Sequence, residues 1–167
     1  MTLLRATTVV HAPVELVFDL ARDVDEHTAA LAHTAERVVP PGRTSGRLEQ
    51  GDLVCFRARH FGLPMSLCAR VVELSRPERF VDEQVRGAFR SLRHTHTFAA
   101  TGGGTLVTDV VEWTSPLGPL GTVADSLVLR RHLLGILTAR NAHLKRRAEV
   151  RAQGSWRREP HPREGPC

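Results

Sequence analysis

The chain has 167 residues, of which 41% are hydrophobic and 25% charged, and a formal net charge of +5. That length fits one domain, whose folding removes about two-thirds of the unfolded surface from water. No apolar run approaches the roughly 20 residues that span a bilayer, and the opening MTLLRATTVVHAP lacks a basic stretch followed by an apolar one, so no transmembrane segment or signal peptide is expected and the cytoplasm is the expected compartment.

Thr2–Val10 reads as a strand, with apolar Leu3, Leu4, Val9 and Val10 among β-branched Thr. Pro13 suits the first turn of a helix over Pro13–Arg22, where a missing N–H is no loss. Val14, Val17, Phe18 and Ala21 form the apolar stripe of that helix. Asp23 can cap a second short helix reaching about Ala32, with Asp25 and Glu26 near its positive end. Glu36–Pro40 reads as a strand, followed by the turn-rich PPGRTSGRLEQGD. Asp52–Phe61 and Met65–Leu74 read as a hairpin about Gly62-Leu63-Pro64. Val54, Phe56, Ala58 and His60 share one face of its first strand, and Arg57 and Arg59 the other.

Arg79–Trp113 reads as three more strands, Arg79–Arg86, Leu92–Ala99 and Thr105–Trp113, separated at Gly87 and at Gly102-Gly103-Gly104. Alternation places Phe80, Asp82, Gln84 and Arg86 on one face of the first strand. His94, His96 and Phe98 share a face of the second, and Val107, Asp109, Val111 and Trp113 share a face of the third. If the aromatics point inward, so do Asp82, Gln84, His94, His96 and Asp109. Buried polar groups need partners, at a cost of about 1–3 kcal/mol each when they lack one. An inner sheet face that mixes aromatics with His and Asp therefore reads as the wall of a pocket.

SPLGPLG breaks the sheet, and Leu120–Val150 is the longest helical pattern. Leu120, Val123, Ala124, Leu127, Leu134, Leu137 and Leu144 make its apolar face, for which the sheet's concave side is the available partner. Arg151–Cys167 is polar and rich in Gly and Pro, and is expected to be a disordered basic tail after a domain spanning residues 1–150. Residues 130–167 hold ten Lys/Arg against three Asp/Glu, whereas residues 1–129 hold thirteen against fifteen. The basicity thus belongs to the last helix and tail. It reads as a solvated helix face with a disordered basic end, or as a weak electrostatic contact with nucleic acid, anionic lipid or an acidic partner. No nucleic-acid motif or stacking platform accompanies it. Cys55, Cys68 and Cys167 lack metal-ligand spacing and are expected to be free thiols.

The order is strand, two short helices, six strands, long helix. With GDLVCFRARHFG, RPERFVDEQVRGAFRSLRHTHTF, GGGTLVTDVVEWTSPLG and LVLRRHLLGILTARNAHLK, the chain resembles the SRPBCC superfamily, the helix-grip or START-like proteins, over roughly residues 3–148. More narrowly it resembles the bacterial branch labelled polyketide cyclase/dehydrase-like or "cell division inhibitor"-like. That resemblance implies an α+β helix-grip fold in which a curved antiparallel seven-stranded sheet wraps around a long C-terminal helix. It also implies a deep cavity between sheet and helix. By matching position, the cavity walls would include Phe56, His60, Phe80, Asp82, Gln84, His94, His96, Phe98, Asp109, Val111 and Trp113, with Leu127, Arg131, Leu134 and Asn141 from the helix. The chain has no GxGxxG-type element, so the nucleotide chemistry of epimerase-fused members of that branch does not carry over.

Three chemistries suit these residues. A buried network of Asp82, Gln84, His94, His96 and Asp109 would orient the polar end of a small apolar or amphipathic ligand such as a lipid, quinone or polyketide-like molecule. His96 paired with Asp109 would be a general base for cyclisation or dehydration beside a carbonyl. An accessory role on a protein partner through the basic helix is the third. His94 and His96, with His60 or Asp109, make a weaker metal set, with no cysteine to help. No metal or cofactor is expected, and the chain is expected to be a monomer or a homodimer.

Overall fold

A computed structural model of the chain describes residues 1–60, 62–115 and 128–156, with only the backbone described for His60, Ser155 and Trp156. Strand β1 (Thr2–Val10) leads through Pro13 into helix α1 (Val14–Ala21). Asp23 caps helix α2 (Val24–Ala30), its side chain accepting from the N–H groups of Asp25 and Glu26 as its position predicts. A single 3-10 turn, Ala32–Thr34, follows. The remaining strands are β2 (Arg37–Val38), β3 (Leu53–His60), β4 (Leu63–Ser75), β5 (Arg79–Arg86), β6 (Ser91–Thr101) and β7 (Gly104–Thr114). They form one antiparallel sheet in the order β1-β7-β6-β5-β4-β3-β2. Helix α3 runs over Arg130–Trp156. This is the helix-grip architecture that the order of elements implies.

Two register shifts in the β4–β5 pair, at Cys68/Ala69 and at Val71/Glu73, add curvature. Gly104 closes the β6–β7 hairpin at φ 141°, with its Cα turned against the Val10 carbonyl, so a Cβ has no room there.

Two apolar clusters hold the helices to the sheet. Phe18 of α1 sits edge-on against Phe80 at 5.8 Å and Phe98 at 5.3 Å, in a cluster closed by Leu144, Ala148 and Ala152 of α3. Trp113, Leu4, Leu92 and Val111 of the sheet meet Leu137 of α3 in the second. Glu26 of α2 fastens the two helices by accepting from His143 at 2.9 Å, from Arg147 at 2.9 Å and from Arg151 at 2.7 Å. The Arg147 hydrogen bond is the main reason its carboxyl is held below the usual range. Part of the basic face of α3 is therefore occupied within the molecule.

Several expectations are corrected in detail. The helix continues through Trp156, so residues 151–156 are not a tail. Its expected beginning from Leu120 and the tail residues 157–167 lie outside the described residues. Cys55 and Cys68 are not free thiols. They stand opposite each other on β3 and β4, with Cα atoms 4.0 Å apart, and form a disulfide. Spacing along the chain carried no sign of this, because the pairing is a matter of register.

Candidate functional site

The registers of β5, β6 and β7 decide which side chains meet. Asp82 lies opposite His94, Phe80 opposite His96, and His96 opposite Asp109. All five side chains share the concave face, so two imidazoles and two carboxylates converge over adjacent strands. The His94 ring lies 3.7 Å from the His96 ring, and Phe80 stacks on His96 at 4.0 Å. His94 Nε2 is hydrogen-bonded with Asp109 Oδ1 at 3.0 Å, and His96 Nε2 with Asp82 Oδ2 at 3.0 Å. Helix α3 completes the cluster. Arg140 Nη1 donates toward His96 Nδ1 at 3.2 Å and Asp109 Oδ1 at 3.4 Å, Arg140 Nη2 donates to the Ala21 carbonyl at 3.2 Å, and Asn141 Nδ2 donates to Asp109 Oδ2 at 2.7 Å.

Electrostatics follow from this packing. Burial, reinforced by the charge of neighbouring His96, pushes His94 down to about 4, so it is neutral at neutral pH. Burial pushes the Asp109 carboxyl up. Hydrogen bonds with His94 and His96 and the charge of Arg140 outweigh that effect and hold it well below the usual carboxylate range. Asp82 follows the same pattern: burial raises it, while its bond with His96 and the surrounding positive charge lower it further. Two carboxylates against one guanidinium leave the cluster one negative charge in excess when both imidazoles are neutral. His96 lies between the two carboxylates, with its Nε2 facing Asp82 at 3.0 Å and its Nδ1 2.8 Å from Asp109 Oδ1.

Beside the cluster is a cavity of about 210 Å³ between sheet and helices. Asp82, His94, His96 and Arg140 form a polar patch in its wall. Elsewhere the lining is largely apolar, with Val54, Phe56 and Ala58 of β3, Leu67 and Ala69 of β4, and Leu129, Leu133, Ile136 and Leu137 from the beginning of α3 and the residue before it. An apolar cavity with a few convergent polar groups is the usual form of a small-ligand site.

Residues 1–149 match the family described as polyketide cyclase / dehydrase and lipid transport. The chain belongs to that family. Among solved structures it is similar to the di-domain aromatase/cyclase StfQ from the steffimycin biosynthetic pathway, at 19% identity and a TM-score of 0.73, over 90% of this chain and 51% of that one. This chain therefore spans about half of StfQ. It is also similar to TTHA0849 from Thermus thermophilus (19% identity, TM-score 0.67, covering 86% of this chain and 97% of that one). A third is major latex-like protein 151 from Panax ginseng (14% identity, TM-score 0.65, covering 88% and 97%). At such identities these likenesses show the fold. No curated protein matches the sequence.

Within this polyketide cyclase/dehydrase fold, Phe56, Phe80, Asp82, His94, His96 and Val111 line the cavity. Four other residues expected on the sheet wall do not. Asp109 lies behind the imidazoles, fully buried. Phe98 is taken up by Phe18 and Trp113 by the second core cluster, while Gln84 Nε2 is tied to the Phe89 carbonyl at 2.7 Å. The side chain of His60 and all of Leu127 lie outside the described residues. On α3 the expected register is displaced: Arg131 is exposed and Leu134 is 42% exposed, so neither is on the cavity wall. Asn141 is buried against Asp109 rather than lining the cavity. Arg140 was missed. Stepping by three and four from Leu137 to Leu144 lands on it, but in an Arg-rich helix it reads as one more solvated cation.

Asp82, His94 and His96 each offer a ligand atom within 4.8 Å of the others, a set that differs from the expected His60 or Asp109 as third member. Their polar atoms are already engaged. His94 Nε2 is turned to Asp109, His96 Nε2 to Asp82, and His96 Nδ1 to Arg140. Among the described residues, no helix is long and apolar enough to cross a membrane.

Proposed function

We propose that this protein binds a small apolar or amphipathic molecule in the cavity, with the polar end of the ligand at Asp82, His94 and His96. The observation that carries this reading is the apolar cavity with one hydrogen-bonded His/Asp patch in its wall. Native mass spectrometry of the protein from its own host tests it. A defined adduct near one per chain is expected. A protein that carries nothing and ignores fatty acids, quinones and polyketide-like aromatics would refute it.

One observation favours a second reading, a cyclase or dehydratase in which His96 removes a proton beside a carbonyl. His96 lines the cavity with Asp109 Oδ1 2.8 Å from its Nδ1, the imidazole–carboxylate pairing that a general base uses. Turnover separates the two readings. His96→Ala weakens binding under the first, and under the second abolishes product while binding persists. The cytoplasm is the compartment proposed. Finding the Cys55–Cys68 bridge intact in freshly lysed cells, with thiols blocked at lysis, would move the protein to an oxidising one.

A further inference from the structure

Apart from the His/Asp patch, the cavity wall holds another acid that the binding role above leaves unused. Glu36 lies between the 3-10 turn and β2, yet its side chain is only 8% exposed and faces the cavity. Its Oε1 accepts no hydrogen bond from any described residue. His27 Nε2, on α2, is 3.0 Å away but out of line for such a bond, and the His27 ring rests against Phe56 at 4.6 Å. The backbone just before Glu36 is unusual as well. Ala35, at φ 54°, is the one non-glycine at positive φ among the described residues, a conformation that costs about 1 kcal/mol or more. A buried carboxylate oxygen without a partner costs free energy in the empty protein. A ligand group that donates to it removes that cost.

We infer that Glu36 and His27 form a second polar subsite, which takes a hydroxyl at the far end of an elongated apolar ligand. A hydroxyl fits better than a protonated amine because it can donate to Glu36 Oε1 and accept from His27 Nε2 at once, whereas an ammonium only donates. Phe56, beside His27, lies on β3, and the imidazoles of the first patch lie on β6. These strands are three spacings apart in the sheet, roughly 14 Å at about 4.8 Å each when measured along it, and the concave face shortens the span between their side chains. Apolar side chains such as Ala69, Leu67 and Leu133 line the interval. The ligand class is therefore an apolar body with a polar group at one end and a hydroxyl at the other. This rests on the cavity-binding reading and adds a length and a second end to it.

The test is fluorescence titration with stilbene, its para-monohydroxy derivative and the derivative with a hydroxyl at both para positions. The wild-type protein is expected to bind the dihydroxy compound about tenfold or more tighter than the monohydroxy one, the size of one hydrogen bond to a charged group. Glu36→Leu should erase that difference by weakening only the dihydroxy compound. Glu36→Gln, which keeps an acceptor, should retain most of it. The melting temperature of empty Glu36→Leu should equal or exceed that of wild type. Equal binding of the two hydroxylated compounds by the wild type overturns the second subsite and leaves the cavity reading standing. So does a lower melting temperature with the binding difference preserved, since Glu36 is then a structural partner of His27. If none of the three compounds binds, the cavity reading fails and this inference fails with it.

Discussion

Asp109 is the residue on which the His/Asp patch depends, although it lines no cavity. It is fully buried and holds His94 Nε2, Asn141 Nδ2 and Arg140 Nη1. Replacing it with Ala leaves a guanidinium with its carboxylate removed and two further donors unsatisfied, all in the interior. Breaking a buried ion pair from one side costs about 3–5 kcal/mol. A neutral donor left unpaired costs about 1–3 kcal/mol, but the three are coupled and their costs do not add. We expect a net loss of about 4–5 kcal/mol, which for a chain of this length lowers the melting temperature by about 10–20 °C. Asp109→Asn keeps the shape and an acceptor for Asn141 and should cost about half as much. The assay is urea and thermal unfolding at pH 7. The sign of the pH dependence is also fixed. The Asp109 carboxyl sits well below its ordinary value of 3.8, so its contribution is complete above about pH 4 and is lost as the pH falls further. The gap between wild type and Asp109→Asn should therefore narrow only below pH 4. An Asp109→Ala protein within about 2 °C of wild type would refute the reasoning, because the donors would then have found other partners or water.

Three further outcomes are expected. Burial holds His94 at about 4 instead of 6.5, so the unfolded chain binds the extra proton between those values; stability from His94 is complete above about pH 6.5 and falls by about 3 kcal/mol by pH 4, a loss that His94→Gln should lack in chemical unfolding across that range. Leu137 is 4% exposed and Leu134 is 42% exposed; Leu137→Ala should cost about 2–4 kcal/mol in urea unfolding and Leu134→Ala under about 1 kcal/mol, and equal costs would mean that α3 presents a different face. Alkylation of the unfolded protein without reductant should label Cys167 alone, and after reduction all three cysteines, as read by intact mass; three labels without reductant would restore the expectation of free thiols.

Much of this protein is local and therefore legible in its sequence. Alternation along Arg79–Arg86, Leu92–Ala99 and Thr105–Trp113 put Asp82 with Phe80, His94 and His96 with Phe98, and Asp109 with Val107 on one face of each strand, because a strand's side-chain period is two. The cap at Asp23, the turn at Gly102-Gly103 and the long final helix are likewise written in residues a few positions apart. The tertiary structure decided what depends on distance across the fold. Pairing of His96 with Asp82 as well as Asp109, and of Cys55 with Cys68, depends on the registers between strands. The way α3 faces the sheet kept Leu137 and Leu144 at the core as expected, left Leu134 exposed and brought Arg140 in, since a helix with leucines on several sides does not by itself state how far the buried face extends. Glu36 became notable only when its carboxylate proved to be enclosed: burial is a property of what surrounds a side chain, and its surroundings come from α2, β3 and the cavity, not from its neighbours in sequence.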